Sequence, residues 1–562
     1  MFLRKYPLRF AVVCIFLFAG FAYSIGFLIY IQIFRSSYLS TLARRQHEHS
    51  IVLEPRRGTI YDRNMRPLAI SLPVYSIYAN PKIMRRPHDV DLAVEKLSAV
   101  LKTDPKFIRE KLGKNKYFVW IRRKVPQEVY LQVSNLKLTG IGFIKESQRY
   151  YPNQELAAHV IGFTGIDNKG LAGLELDYDK YLEGKPGRAI ILRDARSREL
   201  MFDKGYVPPQ DGLNIVLTID ETIQFIAERA LDEMYKKYHC KGASIIVMNP
   251  KTGAILALAN RPTYNLQEAS KSAPLSRTDR AVVYTYEPGS VFKIVTASAA
   301  LQEGVIKEGD VINCEHGAWH VAGRVLHDAE KFGMLTFRQV IEQSSNIGTT
   351  KVAMRLGPQR VYNYAHRFRF GMRTGIDLPG EAPGILKPVR EWSGTSITAV
   401  PIGQEVTVTP IQLVCAMSAI AENGAYMRPF VVKYIEDSEG HILYEHTPQI
   451  LDKVITQTTA RRVKAILEGV VKEGTGTKAA IPGVLVAGKT GTAQKVVKGA
   501  YSHSHFYATF DGFAPANDPR LAAVVVFDDP HPAYYGGTVA APVFSEVVGD
   551  SLKYLASRTS GD

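Results

Sequence analysis

From Phe10 to Phe34 the chain reads FAVVCIFLFAGFAYSIGFLIYIQIF, 25 residues without a charged side chain. As a helix such a run is long enough to span a bilayer with some tilt. A cleavable signal peptide is the competing reading, because Ala22-Tyr23-Ser24 resembles a cleavage site. The apolar run continues ten residues beyond Ser24, however, which is too long for a signal core. An uncleaved anchor is expected over 10–34. Flanking charge leaves its orientation open: Arg4, Lys5 and Arg9 precede it, and Arg35, Arg44 and Arg45 follow.

The remaining chain must fold outside the bilayer, and at 562 residues in total it calls for two or three domains. Apolar residues make up 46% and charged residues 22%, as in folded proteins. The formal charge of +16 raises the question of nucleic acid. The sequence carries no RNA-binding aromatic motif, zinc-finger spacing or basic reading helix, so no nucleic-acid partner is expected. A membrane surface or a cell-wall polymer accounts for the charge more simply. Cys14, Cys240, Cys314 and Cys415 form no C-x-x-C pair, so neither a metal motif nor a disulfide framework is read from them.

Residues 35–222 read as an extended mixed region. LEPRRGTIYDRNMRPLAISLPVYSIYANP (53–81) alternates like a strand around a turn, and 90–112 has helical periodicity. VPPQDGLN (207–214) marks a boundary. Beyond it, 221–238 is an amphipathic helix and 242–260 a hairpin around Asn-Pro-Lys-Thr-Gly. YATFDGFAPA (507–516) and RLAAVVVFDDP (520–530) form a terminal strand pair. The expected division is 1–9, a short tail; 10–34, the anchor; 35–222, the mixed domain; and 223–562, the C-terminal domain.

The chemistry concentrates in YTYEPGSVFKIV (284–295), where Pro288-Gly289 makes a turn and a helix follows, ending at Gly304. Ser290 and Lys293 stand at i and i+3, on one helix face. Burial lowers the pKa of a lysine, and a neutral amine can take a proton from the serine. Alone, the S-x-x-K pattern also describes a capping serine and a snorkelling lysine, and Ser134-Asn135-Leu136-Lys137 repeats it by chance. Two further motifs follow in order: Ser344-Ser345-Asn346, the only S-x-N in the chain, and Lys489-Thr490-Gly491-Thr492. Ser344 and Asn346 alone would cap a helix, and Lys489 alone would be a solvated edge lysine. The ordered set S-x-x-K, S-x-N, K-T-G is the signature of serine acyl-enzyme chemistry.

Three decoys are set aside on context. Ser134 lies upstream of the C-terminal domain. Lys251-Thr252-Gly253 is a second K-T-G, in the hairpin turn ahead of the serine, where a lysine is solvated. GVLVAGKT (483–490) matches a P-loop letter for letter, but VLVA between its glycines reads as a strand and GTAQKVV is a poor helix start. His503 and His505 in YSHSHFY are half a metal site without a carboxylate or cysteine cluster, and read as a surface loop.

With these motifs, the chain resembles the class B penicillin-binding proteins, which are peptidoglycan D,D-transpeptidases. The likeness includes Arg57-Gly58-Thr59-Ile60-Tyr61-Asp62-Arg63-Asn64, similar to the family's R-G-x-I-x-D-R-N signature, together with 149–187 and YYGGTVAAPVF (534–544). The resemblance implies an α+β architecture: one N-terminal transmembrane helix, an extended pedestal (the dimerisation or interaction domain), and a transpeptidase domain whose antiparallel sheet is flanked by helices, as in serine β-lactamases. It implies an anchor in the bacterial inner membrane with its N-terminus cytoplasmic and the catalytic domain periplasmic.

It also implies roles. Ser290 attacks the penultimate D-Ala carbonyl of a stem peptide, Lys293 is the base, and Ser344 relays a proton to the leaving amine. Asn346 holds the substrate amide. Lys489, Thr490, Gly491 and Thr492 line the carboxylate subsite, and the N–H groups of Ser290 and Thr492 form the oxyanion hole. No metal or organic cofactor is required. Stem peptides, β-lactams, a membrane glycosyltransferase (FtsW type) and other division proteins are the implied partners. Length and ending resemble the septal type. An elongation-type enzyme, a β-lactamase or penicillin sensor of the same fold, and a non-catalytic division scaffold are the alternatives.

Overall fold

The computed structural model describes residues 7–39, 48–84, 86–193, 199–201 and 207–559. Arg4, Lys5, Arg44 and Arg45, which enter the orientation argument, lie outside the described residues. Two compact units make up the chain.

The first unit comprises Met1–Pro55 and Gly184–Asp211. Its helix Pro7–Ile29 continues through one wide turn, Tyr30–Phe34. By length and composition, Leu8–Phe34 can cross a membrane, and its apolar side chains lie open rather than in a core. The unit also holds a three-stranded antiparallel sheet of Glu48–Leu53, Gly187–Arg193 and Glu199–Met201.

The second unit, Arg56–Glu183 with Gly212–Asp562, contains the site. In it the helical period of 90–112 divides into Pro87–Leu101 and Pro105–Leu112. The break has a local cause: Lys102 adopts a left-handed φ of 49°, and Asp104 caps the next helix ahead of Pro105. The signature around Arg57 forms the joint to the C-terminal region. Arg57 and Arg149 each donate to Glu175 at 2.6 Å, and Arg57 also reaches Asp179 at 2.6 Å. Asp62 accepts from the backbone N–H groups of Asn64 and Glu221, the latter at the start of the helix Glu221–Lys237. A Cβ on Gly58 would fall 1.9 Å from the Leu213 carbonyl oxygen, which explains the glycine. Strand Ile60–Tyr61 pairs in parallel with Asn214–Leu217, so one seven-stranded sheet runs through the joint.

The C-terminal region is built on five strands: β1 (Gly242–Met248), β2 (Ile255–Arg261), β3 (Ala487–Val497), β4 (Ala500–Ala514) and β5 (Leu521–Asp528). Their order is β2-β1-β5-β4-β3, all neighbours antiparallel. Both faces are covered, so β1 reads as unbroken apolar sequence rather than alternating. Ile245 and Val247 join the core under the helices Glu221–Lys237 and Gly536–Thr559. Ile246 and Met248 point the other way, towards Pro410–Ala421. That helix is buried at every position and apolar apart from Gln412 and Ser418; Gln412 donates to the Met372 and Pro383 carbonyls. The P-loop reading fails as expected on the helix side, because GTAQKVV continues β3. The strand starts later than the sequence suggests, at Ala487, so only the last residue of VLVA belongs to it.

Candidate active site

The turn containing Ser290 is a short 3-10 segment, Gly289–Phe292, which passes into the helix Lys293–Gln302. Gly289 has φ +55°, and its N–H donates to the Gly403 carbonyl at 3.1 Å. A Cβ on Gly403 would lie 2.1 Å from the Gly289 oxygen, so the backbones touch there. On the other side runs β3. A Cβ on Gly491 would stand 2.8 Å from Val291 Cγ2 and 3.0 Å from the Pro288 oxygen. The glycine of K-T-G is thus what lets the edge strand approach the serine turn.

The middle motif lies between two helices. Phe337–Glu342 ends, Ser344 takes φ +60°, and Ser345 caps Asn346–Leu356 by accepting from Gly348 N–H. Asp328 fixes this corner. Its carboxylate accepts from Ser345 Oγ at 2.7 Å and from the backbone N–H groups of Asn346 and Ile347. Sequence reasoning passed over Asp328 because it belongs to no motif. No local signal marks it, since it holds this corner from 17 and 18 residues upstream.

The three motifs meet around Ser344. Lys293 Nζ donates to the Ser344 carbonyl at 2.6 Å and Asn346 Oδ1 at 2.8 Å, and lies 3.2 Å from Ser344 Oγ. Lys489 Nζ donates to the same hydroxyl at 3.0 Å. Both lysine side chains are fully buried. Burial pulls Lys293 down to about 7, against the opposing pull of Asp328. Burial likewise holds Lys489 well below the ordinary lysine range, and the adjacent Lys293 acts in the same direction. A neutral Lys293 satisfies this geometry. It donates to the two carbonyl-type oxygens, and the Ser344 O–H can turn its proton onto the amine lone pair.

Asn346 Nδ2 donates to the His327 carbonyl at 2.8 Å. Thr490 and Thr475 share a 2.6 Å hydroxyl contact, and Thr492 Oγ1 accepts from Gly536 N–H at 3.1 Å. Thr475 has no motif of its own in the sequence, and Gly536 enters there only within 534–544. Ser290 itself is half-buried, and among the described residues its Oγ has no hydrogen-bond partner. The arrangement therefore offers a hydroxyl at a helix start, a buried amine able to be neutral near pH 7, and a second buried amine reached through Ser344.

The decoys fall elsewhere. Ser134 lies in the last turn of Gln127–Asn135, and Lys251 makes an exposed ion pair with Asp518 at 2.6 Å. The surface-loop reading of His503 and His505 is corrected: both lie within β4. A carboxylate does accompany His505, but it is Asp529, brought in from the end of β5 and so invisible in local sequence.

Two family models match the chain: the penicillin binding protein transpeptidase domain over residues 243–549 and the penicillin-binding protein dimerisation domain over 52–217. Stage V sporulation protein D of Bacillus subtilis is 35% identical over 94% of this chain and 83% of that protein. The peptidoglycan D,D-transpeptidase FtsI of Escherichia coli is 32% identical over 99% and 94%. Among solved structures, penicillin binding protein 3 from Mycobacterium tuberculosis complexed with aztreonam superposes with a TM-score of 0.71 at 28% identity, covering 90% of this chain and 97% of that one. With its dimerisation and transpeptidase modules in this order and the three motifs gathered around Ser344, the chain belongs to the class B penicillin-binding proteins.

Proposed function

We propose that this protein is a peptidoglycan D,D-transpeptidase acting through an acyl-enzyme on Ser290. The observation that carries the reading is the chain Lys293–Ser344–Lys489, both lysines buried, beside the serine turn. Neutral Lys293 takes the Ser290 proton as Oγ bonds to the carbonyl carbon of the penultimate D-Ala. The C–N bond to the terminal D-Ala then breaks, and the proton passes through Ser344 to the leaving amine. An amine from a second stem peptide attacks the ester, forms the cross-link and restores Ser290. Asn346 orients the substrate amide. The N–H groups of Ser290 and Thr492 receive the oxyanion, a contribution worth about 3–4 kcal/mol per donor in other enzymes. Lys489, Thr490, Gly491 and Thr492 take the substrate carboxylate, whose negative charge favours the protonated form of Lys489.

The setting follows from the same reading. Helix 10–34 anchors the chain in the inner membrane with residues 1–9 cytoplasmic, and pedestal 35–222 carries transpeptidase domain 223–562 in the periplasm. Within the family we read the role as septal; the peptidoglycan D,D-transpeptidase FtsI of Escherichia coli matches along 99% of this chain. A membrane glycosyltransferase and other division proteins would then be its partners. Purified enzyme given nascent strands bearing D-Ala-D-Ala stems should release D-Ala and accumulate cross-linked muropeptides, and Ser290→Ala should do neither. Steady turnover of penicillin without cross-linking would instead mark a β-lactamase. Depletion should give filamentous cells. Rounded cells would assign the protein to elongation.

A further inference from the structure

On β4 and just past the end of β5, three side chains that the reaction does not use point at one place. His505 Nδ1 lies 2.8 Å from Asp529 Oδ1, and His531 Nε2 lies 3.2 Å from the same oxygen. All three potential donor atoms fall within 4.8 Å of one another. Asp529 is almost wholly buried, whereas the side chains of His505 and His531 are 36% and 48% exposed. The carboxylate is therefore fixed and the imidazoles face solvent, which leaves an entry path.

Lys241 Nζ holds the other carboxylate oxygen, Oδ2, at 2.7 Å. That contact orients Asp529; His505 Nδ1 also lies 2.9 Å from Oδ2, while His531 Nε2 meets Oδ1. The backbone is equally committed: Asp529 N–H donates to the Phe506 carbonyl, and His531 N–H to the Tyr238 carbonyl. We propose that His505, Asp529 and His531 form a binding site for a divalent transition-metal ion, with zinc the best match.

Two imidazoles and one carboxylate are a frequent three-residue set for such ions, with the remaining positions filled by water. Donor atoms around a tetrahedral zinc stand about 3.3 Å apart, given metal–ligand bonds of about 2.0–2.2 Å. The observed donor spacing needs only small side-chain rotations to meet this. The position suggests what the ion does. The segment leaving Asp529 stacks Tyr534 on Phe506 with ring centroids 4.1 Å apart, then delivers Gly536 N–H to Thr492 Oγ1. An ion at this end would brace β4 against the segment that supports the K-T-G strand, as a structural site and not as part of the acyl transfer.

The test uses the full-length protein in detergent, stripped with a chelator and titrated with zinc chloride by calorimetry. The site predicts about one tightly held zinc per chain. Partners outside the coordination shell are already worth about 10–100-fold in metal affinity. Removing a ligand in His505→Ala or His531→Ala should therefore weaken binding by about 100-fold or more. His503→Ala, one turn of the strand pleat away and bonded to Gln494, should bind like the unaltered protein. Retained labelling by fluorescent penicillin shows that each variant is folded. A second readout needs no variant: bound zinc should protect His505 and His531, but not His503, from diethylpyrocarbonate. The proposal is overturned if the unaltered protein takes up no zinc, if uptake survives either ligand variant, or if zinc leaves both histidines unprotected.

Discussion

The sharpest consequence of the site is a pH profile. Lys293 lies at about 7 because its ammonium is cut off from water. Relative to the ordinary lysine value of 10.5, this corresponds to about 5 kcal/mol in favour of the neutral amine. If neutral Lys293 takes the proton of Ser290, the acylation rate follows the neutral fraction. That fraction is about one half at pH 7, about a tenth one pH unit lower and about nine tenths one unit higher. Acylation by a fluorescent penicillin, followed as a time course from pH 5.5 to 9, should rise through a single inflection near 7 and then level off. Asp328 supplies the perturbation. Its negative charge favours the ammonium, so Asp328→Asn should move the inflection to lower pH, not higher. The variant also weakens the cap on Asn346–Leu356, so the plateau rate can fall while the inflection still reports the amine. A profile flat down to pH 5.5, or one rising only above pH 9, would refute the argument. So would an Asp328→Asn inflection displaced upward.

Other consequences follow from single contacts. Lys489→Ala should slow acylation by about tenfold or more, since a charge-assisted contact is worth roughly 1.5–3 kcal/mol. Lys251→Ala, in its exposed turn, should leave acylation alone and change urea stability by no more than about 0.5 kcal/mol. Gly403→Ala must displace the Gly289 carbonyl, 2.1 Å from the new Cβ, and should abolish penicillin labelling with a lower thermal midpoint. Glu175→Gln leaves the buried Arg57 and Arg149 without their shared carboxylate. It should cost about 3–5 kcal/mol in denaturant unfolding. N-terminal sequencing of membrane-extracted protein should begin at or near Met1, and a start near Ile25 would show a cleaved signal instead.

What could be read from sequence was what short-range pattern encodes. The helix Glu221–Lys237 and the strands β1, β2 and β5 follow from periodicity, with ends displaced by one or a few residues. The break at Lys102 was missed because the apolar period runs on across it, although Asp104-Pro105 supplies a helix start. The ordered motifs pointed to Ser344 as a meeting place, but not to its sharing by two lysines, since that depends on burial. Asp328, Gly403 and Thr475 act through contacts 15 residues or more away in sequence, where no local pattern marks them. His505 shows the same limit from the other side: its carboxylate partner lies 24 residues on, across the β4–β5 pairing.

The central claim is that Ser290 is the acylated nucleophile, and locating a covalent adduct tests it most directly. After incubation with a penicillin and proteolysis, mass spectrometry should find one acyl group per chain, on the peptide containing Ser290, and none in Ser290→Ala. An adduct on Ser134 or Ser344, or undiminished labelling of Ser290→Ala, would contradict the account.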